Sequence, residues 1–451
     1  MAGKKRARGG TPDLVLSVGG YKSIANPIDL AIKPLTIIAG TNSSGKSSFV
    51  QPFLLLKQTI DAAFDAGPLL LHGPNVRLTK WEQAISRGKS RNAKRPDMRI
   101  GVKSASESVT NNYEWTAAKG IRLTDSVYVD GEQTMTFRTG MSTSEVRANL
   151  SSNDKEFVQM FSESQSSRSV ELTCRVEEHH GFLHPEVVTR QGRNGGSTRL
   201  PLLYGGGYSD PFVELIASIM HVPGLRGNPE RSYISSALGG VFAGTMEKYV
   251  ASLLDSWQKG NKDEREKLQK VASDLEDLGL TWKVTAQRLD DVQLELLVGR
   301  LPHAQQGGAH DLVNIADVGF GVSQTLPVIV ALHAARPGQI VYIEQPEIHL
   351  HPRAQGGIAR ALVAAALRGV RVVIETHSSL VLRAIQTAVA RGEISPRLIS
   401  LNWFSRDSTT GHSQVDVAEM DERGRLGDWP LDFDDVAEQA DWDYLVSAET
   451  E

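Results

Sequence analysis

The stretch Ile37–Gln51, IIAGTNSSGKSSFVQ, decides how the rest of the chain is read. Gly40, Thr41, Asn42, Ser43, Ser44, Gly45, Lys46 and Ser47 satisfy the spacing G-x-x-x-x-G-K-[ST] in full, and Ser48 follows. Glycines at those places let main-chain N–H groups curl round phosphate oxygens. A helix opening near Lys46 would point its positive end at the same charge, Lys46 would reach the outer phosphates, and Ser47 would ligate magnesium. The flanks agree with that reading. Residues 28–39, IDLAIKPLTIIA, are apolar enough for a buried strand, and 14–24, LVLSVGGYKSI, read as another. Residues 47–67, SSFVQPFLLLKQTIDAAFDAG, have helix length and apolar clustering, with Pro52 near the first turns. The order is strand, loop, helix.

With 451 residues, 40% of them hydrophobic and 23% charged, the chain is expected to be globular, with two domains or one domain carrying a large insertion. No window approaches the roughly 18 consecutive apolar residues of a membrane span, and MAGKKRARGG lacks the apolar core of a secretory signal. Cys174 stands alone, which rules out an internal disulfide framework and a multi-cysteine zinc site. A cytoplasmic protein with no membrane partner is the expectation.

The net charge of −4 gives no general attraction to nucleic acid, but its distribution is uneven. Lys4, Lys5, Arg6 and Arg8 make a basic tail; Arg87, Lys89, Arg91, Lys94, Arg95 and Arg99 crowd one segment with only Asp97 opposing them; beyond Val415 the balance turns acidic. Each run reads first as a solvated tail or loop. For Arg87–Arg99 the sharper reading is a DNA-facing loop.

From about 98 to 210, short alternating stretches such as SVELTCRVEEHH are separated by pieces rich in Ser, Asn and Gly, as in an inserted β region. Residues 243–280 are helical and charged, enough for a short hairpin or arm, and 281–301 alternate again. The last third is clearest: QIVYIEQPEIHLHPRAQ and VRVVIETHSSLVLRAIQ are buried strands running into polar turns, with the apolar helix GGIARALVAAALRG between. Such a pattern argues for an α/β fold with a parallel sheet covered by helices, its ligands at the carboxyl ends of the strands. The expected division is a basic tail 1–13, a head in two parts (14–97 and 301–400), an insertion 98–300 with its β-rich part and helical arm, and an acidic extension 401–451.

Three further motifs fall at those strand ends. In VYIEQPE, Glu344 is placed to hold the hydration shell of Mg²⁺. In VVIETHSS, His377 can sense a γ-phosphate or the attacking water. In DVGFGVSQTLPVIVAL, glycines precede Ser323 and Gln324, exposed at the start of an apolar helix, a second anion-ready helix N-terminus. One chain does not need two such sites for one nucleotide; two copies would.

With these motifs in place, the chain resembles the ATP-binding-cassette type ATPases of the SMC, RecF and overcoming-lysogenization-defect (OLD) kind, over residues 14–60 and 310–390. The resemblance implies a P-loop head of mixed sheet, with Gly40 to Ser48 as the Walker A loop, Glu344 as the Walker B acid, GFGVSQ as the signature loop and His377 as the switch histidine. It implies ATP and Mg²⁺ as cofactors, and a homodimer or higher oligomer with ATP sandwiched so that Ser323 of one copy meets the γ-phosphate held by Lys46 of the other. Tyr21 and Lys22, in GGYKSI, match an aromatic–basic pair near the nucleotide. NSSGKSS, LLLKQT, DVGFGVSQTLP, IEQPEIHLHPRAQ and ETHSSLVLR are similar to a bacterial AAA-type subgroup with a short C-terminal domain of unknown function, which GRLGDWPLDF resembles. The wider group implies anti-phage defence or DNA maintenance, with dimerisation gating an effector in trans, a nuclease or toxin. A nucleotide-stabilised scaffold is the alternative. A transporter subunit fits poorly, because the insertion is large and the signature is not LSGGQ.

Two departures shape the expectation. Gln345 stands where the general pattern has a glutamate; an amide orients water but does not accept its proton, so hydrolysis is expected to be slow, with Glu347 as a substitute. And the seventy or so residues after His377 lack the acidic pattern of a TOPRIM nuclease. His349 with His351, and His179, His180 and His184, lack metal spacing and read as structural or solvent-facing.

Overall fold

The computed structural model describes residues 14–87, 97–116, 118, 120–164, 170–191, 197–200, 208–301, 303, 310–427, 442, 446 and 447. The basic tail, all of Arg87–Arg99 except its two ends and Asp97–Met98, and most of the acidic extension lie outside the described residues. The described residues form two compact units, one drawn from 14–31, 48–218 and 407–413, the other from 32–47, 219–406 and the described part of 414–451.

The first unit is mostly antiparallel. A six-stranded sheet runs in the order Ile28–Ile32, Leu14–Gly19, Met98–Ser104, Glu107–Thr116, Gly120–Asp130 and Gln133–Arg138. A three-stranded sheet is built from Val170–His179, Phe182–Gln191 and Ser197–Leu200. Polar side chains tie the two together: Asn111 donates to the carbonyl of Gly181 at 2.8 Å, and Tyr128 to that of Leu183 at 2.8 Å. Most of the helix Lys46–Ile60 belongs here, and its buried Lys57 is stabilised by the Ala217 carbonyl at 2.6 Å and Asp61 at 3.2 Å.

The second unit holds the sheet that the apolar runs foretell. Its order is Met220–Val222, Ile340–Glu344, Arg371–Glu375, Leu35–Gly40, Ile399–Arg406 and Ser413–Ala418, and the first five pair in parallel. Leu35–Gly40 and Arg371–Glu375 are buried throughout, as strands covered on both faces must be. Helices Phe320–Ala334, Pro352–Leu367 and Ser379–Ala390 lie in the same unit. His351 caps Pro352–Leu367 by accepting from Arg353 N–H, and Ser378 caps Ser379–Ala390 by accepting from Val381 N–H. A smaller sheet of Tyr233–Ile234, Gln293–Gly299, Val284–Arg288 and Leu312–Asn314 completes the unit.

The division drawn on the sequence does not coincide with these units. Residues 48–97 group with the β-rich region, and 219–300 group with the parallel sheet. The return at 219 is made by Met220–Val222, a three-residue strand too short to show a period. The helical segment is a hairpin, Val250–Lys259 and Lys262–Asp277, but not an arm. Leu254, Trp257, Val271 and Leu275 bury its apolar face in the core of the parallel-sheet unit. Among the described residues no helix is long and apolar enough to cross a membrane.

Candidate functional site

The Gly40–Ser47 loop, Ser323, Gln324, Glu344, Gln345, Glu347 and His377 all lie in the parallel-sheet unit. The Leu35–Gly40 strand ends in a glycine that cannot be replaced: Gly40 has φ +144°, and a Cβ there would sit 2.0 Å from the Phe404 carbonyl oxygen. Ser43 at φ 61° and Gly45 at φ 104° then turn the backbone through left-handed conformations before the helix starts at Lys46. Such successive turns gather N–H groups into a concavity at a helix N-terminus. Thr41, Asn42 and Ser43 are exposed, while Ser44, Gly45 and Lys46 are buried. The Lys46 ammonium donates to the carbonyls of Gly40 at 3.1 Å and Thr41 at 2.8 Å. Burial lowers its pKa, and nearby Glu375 opposes the shift.

Parallel pairing sets Glu344 directly opposite Glu375, and Glu375 opposite Ile38 of the loop strand. Glu375 is therefore one strand from the loop and Glu344 two. Both oxygens of Glu375 accept from the Ser47 hydroxyl, at 3.0 and 2.9 Å, and Tyr342 donates to it at 3.0 Å. Glu344 faces its other neighbour: His221 Nε2 lies 3.2 Å from one oxygen, and Gly224 N–H donates to the other at 3.0 Å. Burial works to raise Glu344, but those hydrogen bonds bring it below the usual carboxylate value. Glu375 is raised, by burial first and by the charge of Glu344 in addition.

Gln345 sits at φ 45°, its N–H donating to the Glu375 carbonyl at 2.7 Å. Glu347 accepts the His377 N–H at 2.9 Å, so its carboxylate joins the turns after the two strands; burial raises its pKa against that bond. His377 is exposed at the strand end, and burial followed by the Lys46 charge lowers its pKa, which favours neutral imidazole.

The helix Phe320–Ala334 departs from expectation at one position. Ser323 is half-buried, its hydroxyl donating to the Phe320 carbonyl at 3.1 Å, beside a cavity of about 490 Å³ also lined by Arg226 and Leu326. Gln324, expected to be exposed for nucleotide contact, is buried, and its amide donates to the carbonyls of Arg226 at 3.1 Å and Gly227 at 3.0 Å. Its donors are already engaged by protein. Arg226 answers with bonds to the carbonyls of Gln324 at 3.0 Å and Glu344 at 2.8 Å. One buried guanidinium thus ties the helix Phe320–Ala334 to the Glu344 strand end.

Tyr21 and Lys22 belong to the first unit, where both meet the Gln51 side-chain oxygen, Tyr21 at 3.1 Å. Ser48 is assigned there too, one residue along the helix from Ser47. The His349 ring lies tilted with its centroid 6.0 Å from that of Phe320, and His179, His180 and His184 cluster in the first unit.

Glu375, Tyr342, His221 and Arg226 were not among the residues singled out from sequence. A signal for Glu375 exists: IVYIE and RVVIE both place an acid after an apolar strand. Nothing comparable marks Arg226, whose partners lie about a hundred positions away in sequence.

The residues fit a nucleotide and its metal. A glycine cradle that a Cβ would fill suits phosphate, and the hydroxyl and carboxylate oxygens of Ser47, Glu375 and Glu344 are the hard donors that Mg²⁺ prefers.

Residues 255–383 match the sequence family described as "AAA domain, putative AbiEii toxin, Type IV TA system". That span includes Ser323, Glu344, Glu375 and His377. No curated protein matches the chain. Three solved structures are similar to it. An SMC head bound to the C-winged helix domain of ScpA is 12% identical, covering 91% of this chain and 98% of its own, with a TM-score of 0.44. The SMC head domain from Thermotoga maritima is 12% identical over 91% and 100%, with a TM-score of 0.37. An Smc head with an extended coiled coil, bound to the C-terminal domain of ScpA and derived from Pyrococcus furiosus, is 11% identical over 90% and 96%, with a TM-score of 0.39. Likenesses at these scores carry no conclusion about what this chain does. What the sequence match shows is an AAA domain over residues 255–383, in the same compact unit as the Gly40–Ser47 loop.

Proposed function

We infer, for a chain with an AAA domain at 255–383 in the same compact unit as a complete phosphate loop, that it binds Mg·ATP at Gly40–Ser48, hydrolyses it slowly, and uses binding to bring two copies together. The observation that carries this is the convergence of the Gly40–Ser47 loop, Glu344, Glu375 and His377 at the carboxyl ends of adjacent parallel strands. Bound Mg²⁺ would neutralise charge on the β- and γ-phosphates. Lys46 would exchange its carbonyl partners for phosphate oxygens, and loop N–H groups would orient the chain of phosphates. Neutral His377 can accept from the attacking water or donate to a γ-phosphate oxygen. Gln345 holds water without taking its proton, which supports a turnover below about 1 s⁻¹ against an enzyme median near 10 s⁻¹.

Ser323, at the N-terminus of a helix whose own loop has no phosphate motif, supports a contact to ATP held by a second copy. In this reading the assembled pair gates an effector in trans, a nuclease or toxin, in defence or DNA maintenance. The Arg87–Arg99 run remains the proposed place of DNA contact. Gln345 also favours the alternative of a nucleotide-stabilised scaffold in which hydrolysis is incidental. Fluorescent ATP-analogue binding and phosphate release, measured on wild type and Lys46→Ala, test the core of the proposal. Saturable binding with slow release, both lost in the variant, is the expected result; equal binding by the variant would sink it.

A further inference from the structure

The acid expected to serve the metal, Glu344, is not the acid on the loop serine. Strand order accounts for this. Neighbouring strands lie about 4.8 Å apart, so a residue on the adjacent strand reaches Ser47 where a residue two strands away must span about twice that. Glu375 is adjacent and Glu344 is not. Each Glu344 oxygen already has a partner on the far side, His221 or Gly224 N–H. Glu375 accepts the Ser47 hydroxyl with both oxygens, and the Tyr342 phenol donates to it as well.

A serine hydroxyl has one proton and two lone pairs. Where a carboxylate takes the proton, the lone pairs are left for a cation, and the carboxylate's charge makes that oxygen a better ligand. We propose that Glu375 is the residue that fixes Ser47 as a magnesium ligand, acting as the positioning carboxylate of the site, while Glu344 is held by the neighbouring strand and serves the metal's water shell. Two carboxylates at the ends of adjacent paired strands also give a dication a favourable place. The proposal rests on reading Gly40–Ser48 as the Mg·ATP loop.

The test is equilibrium binding of a fluorescent ATP analogue to the full chain, in EDTA and in Mg²⁺, for wild type, Glu375→Gln and Glu344→Gln. The ratio of the two affinities is the magnesium gain, and it requires no turnover. Glu375→Gln is expected to bind as wild type does in EDTA, within about twofold, and to lose about tenfold or more of the gain, the scale seen when a metal ligand's supporting partner is removed. Glu344→Gln is expected to keep the larger part. An undiminished gain in Glu375→Gln overturns the inference, whatever Glu344→Gln does. Should Glu375→Gln fail to bind even in EDTA, Glu375→Asp decides: it keeps the charge, withdraws the carboxylate by one methylene, and must show the same loss. Wild type that binds no analogue in either condition removes the ATP reading itself, a different failure.

Discussion

The strand ends 340–347 and 371–378 are alike in sequence and different in structure. Both carry an acid after a buried apolar strand, and the two acids face each other as paired residues. Yet Glu375 turns to Ser47, and Glu344 turns to His221 and Gly224 on the opposite neighbour. The motif marks where a carboxylate emerges; the order of strands decides what it serves. Gln345 and Glu347 then stitch the ends together, one through the Glu375 carbonyl and the other through the His377 N–H.

The comparison can be broken at graded strengths. The largest effect is expected from Lys46→Ala, which removes the cation beside Glu375 and His377: nucleotide-dependent phosphate release should fall by about 100-fold or more, as when a charge-stabilising donor is lost. Next is Arg226→Met. It leaves buried carbonyls of Gln324 and Glu344 without their donor and should destabilise the chain by about 3 kcal/mol, read as a lower urea midpoint with unchanged slope. A midpoint shift below about 0.5 kcal/mol would mean that the strut is idle. Smallest is Tyr342→Phe, which removes one hydrogen bond from Glu375 and should reduce magnesium gain by only a few-fold, about 1 kcal/mol. If it instead matched Glu375→Gln, the phenol rather than Ser47 would be the controlling contact.

The parallel sheet was legible because fully buried strands read as continuous apolar runs and because the loop motif has fixed spacing. IVYIE and RVVIE needed no tertiary knowledge to be placed as strands. What Glu375 does was not legible, since lateral strand order is not written in either run. Gln324 was misread for a related reason: residues 324–332 of its helix are all buried, so there is no polar face from which to judge which side a glutamine takes. Met220–Val222, three residues long, could not announce that the chain re-enters the parallel-sheet unit there, and the domain division drawn on sequence departs from the compact units at that place. The hairpin 250–277 read as an arm because charge dominates its outer face, while Leu254, Trp257, Val271 and Leu275 hold the inner one.

The central claim, that nucleotide binding rather than turnover is the working event, is tested most directly by light scattering with and without Mg·ATP while phosphate release is followed in the same samples of wild type and Lys46→Ala. The account predicts a doubling of mass or more on adding Mg·ATP, slow release, and loss of both in the variant. A mass indifferent to nucleotide, together with brisk release, would contradict it.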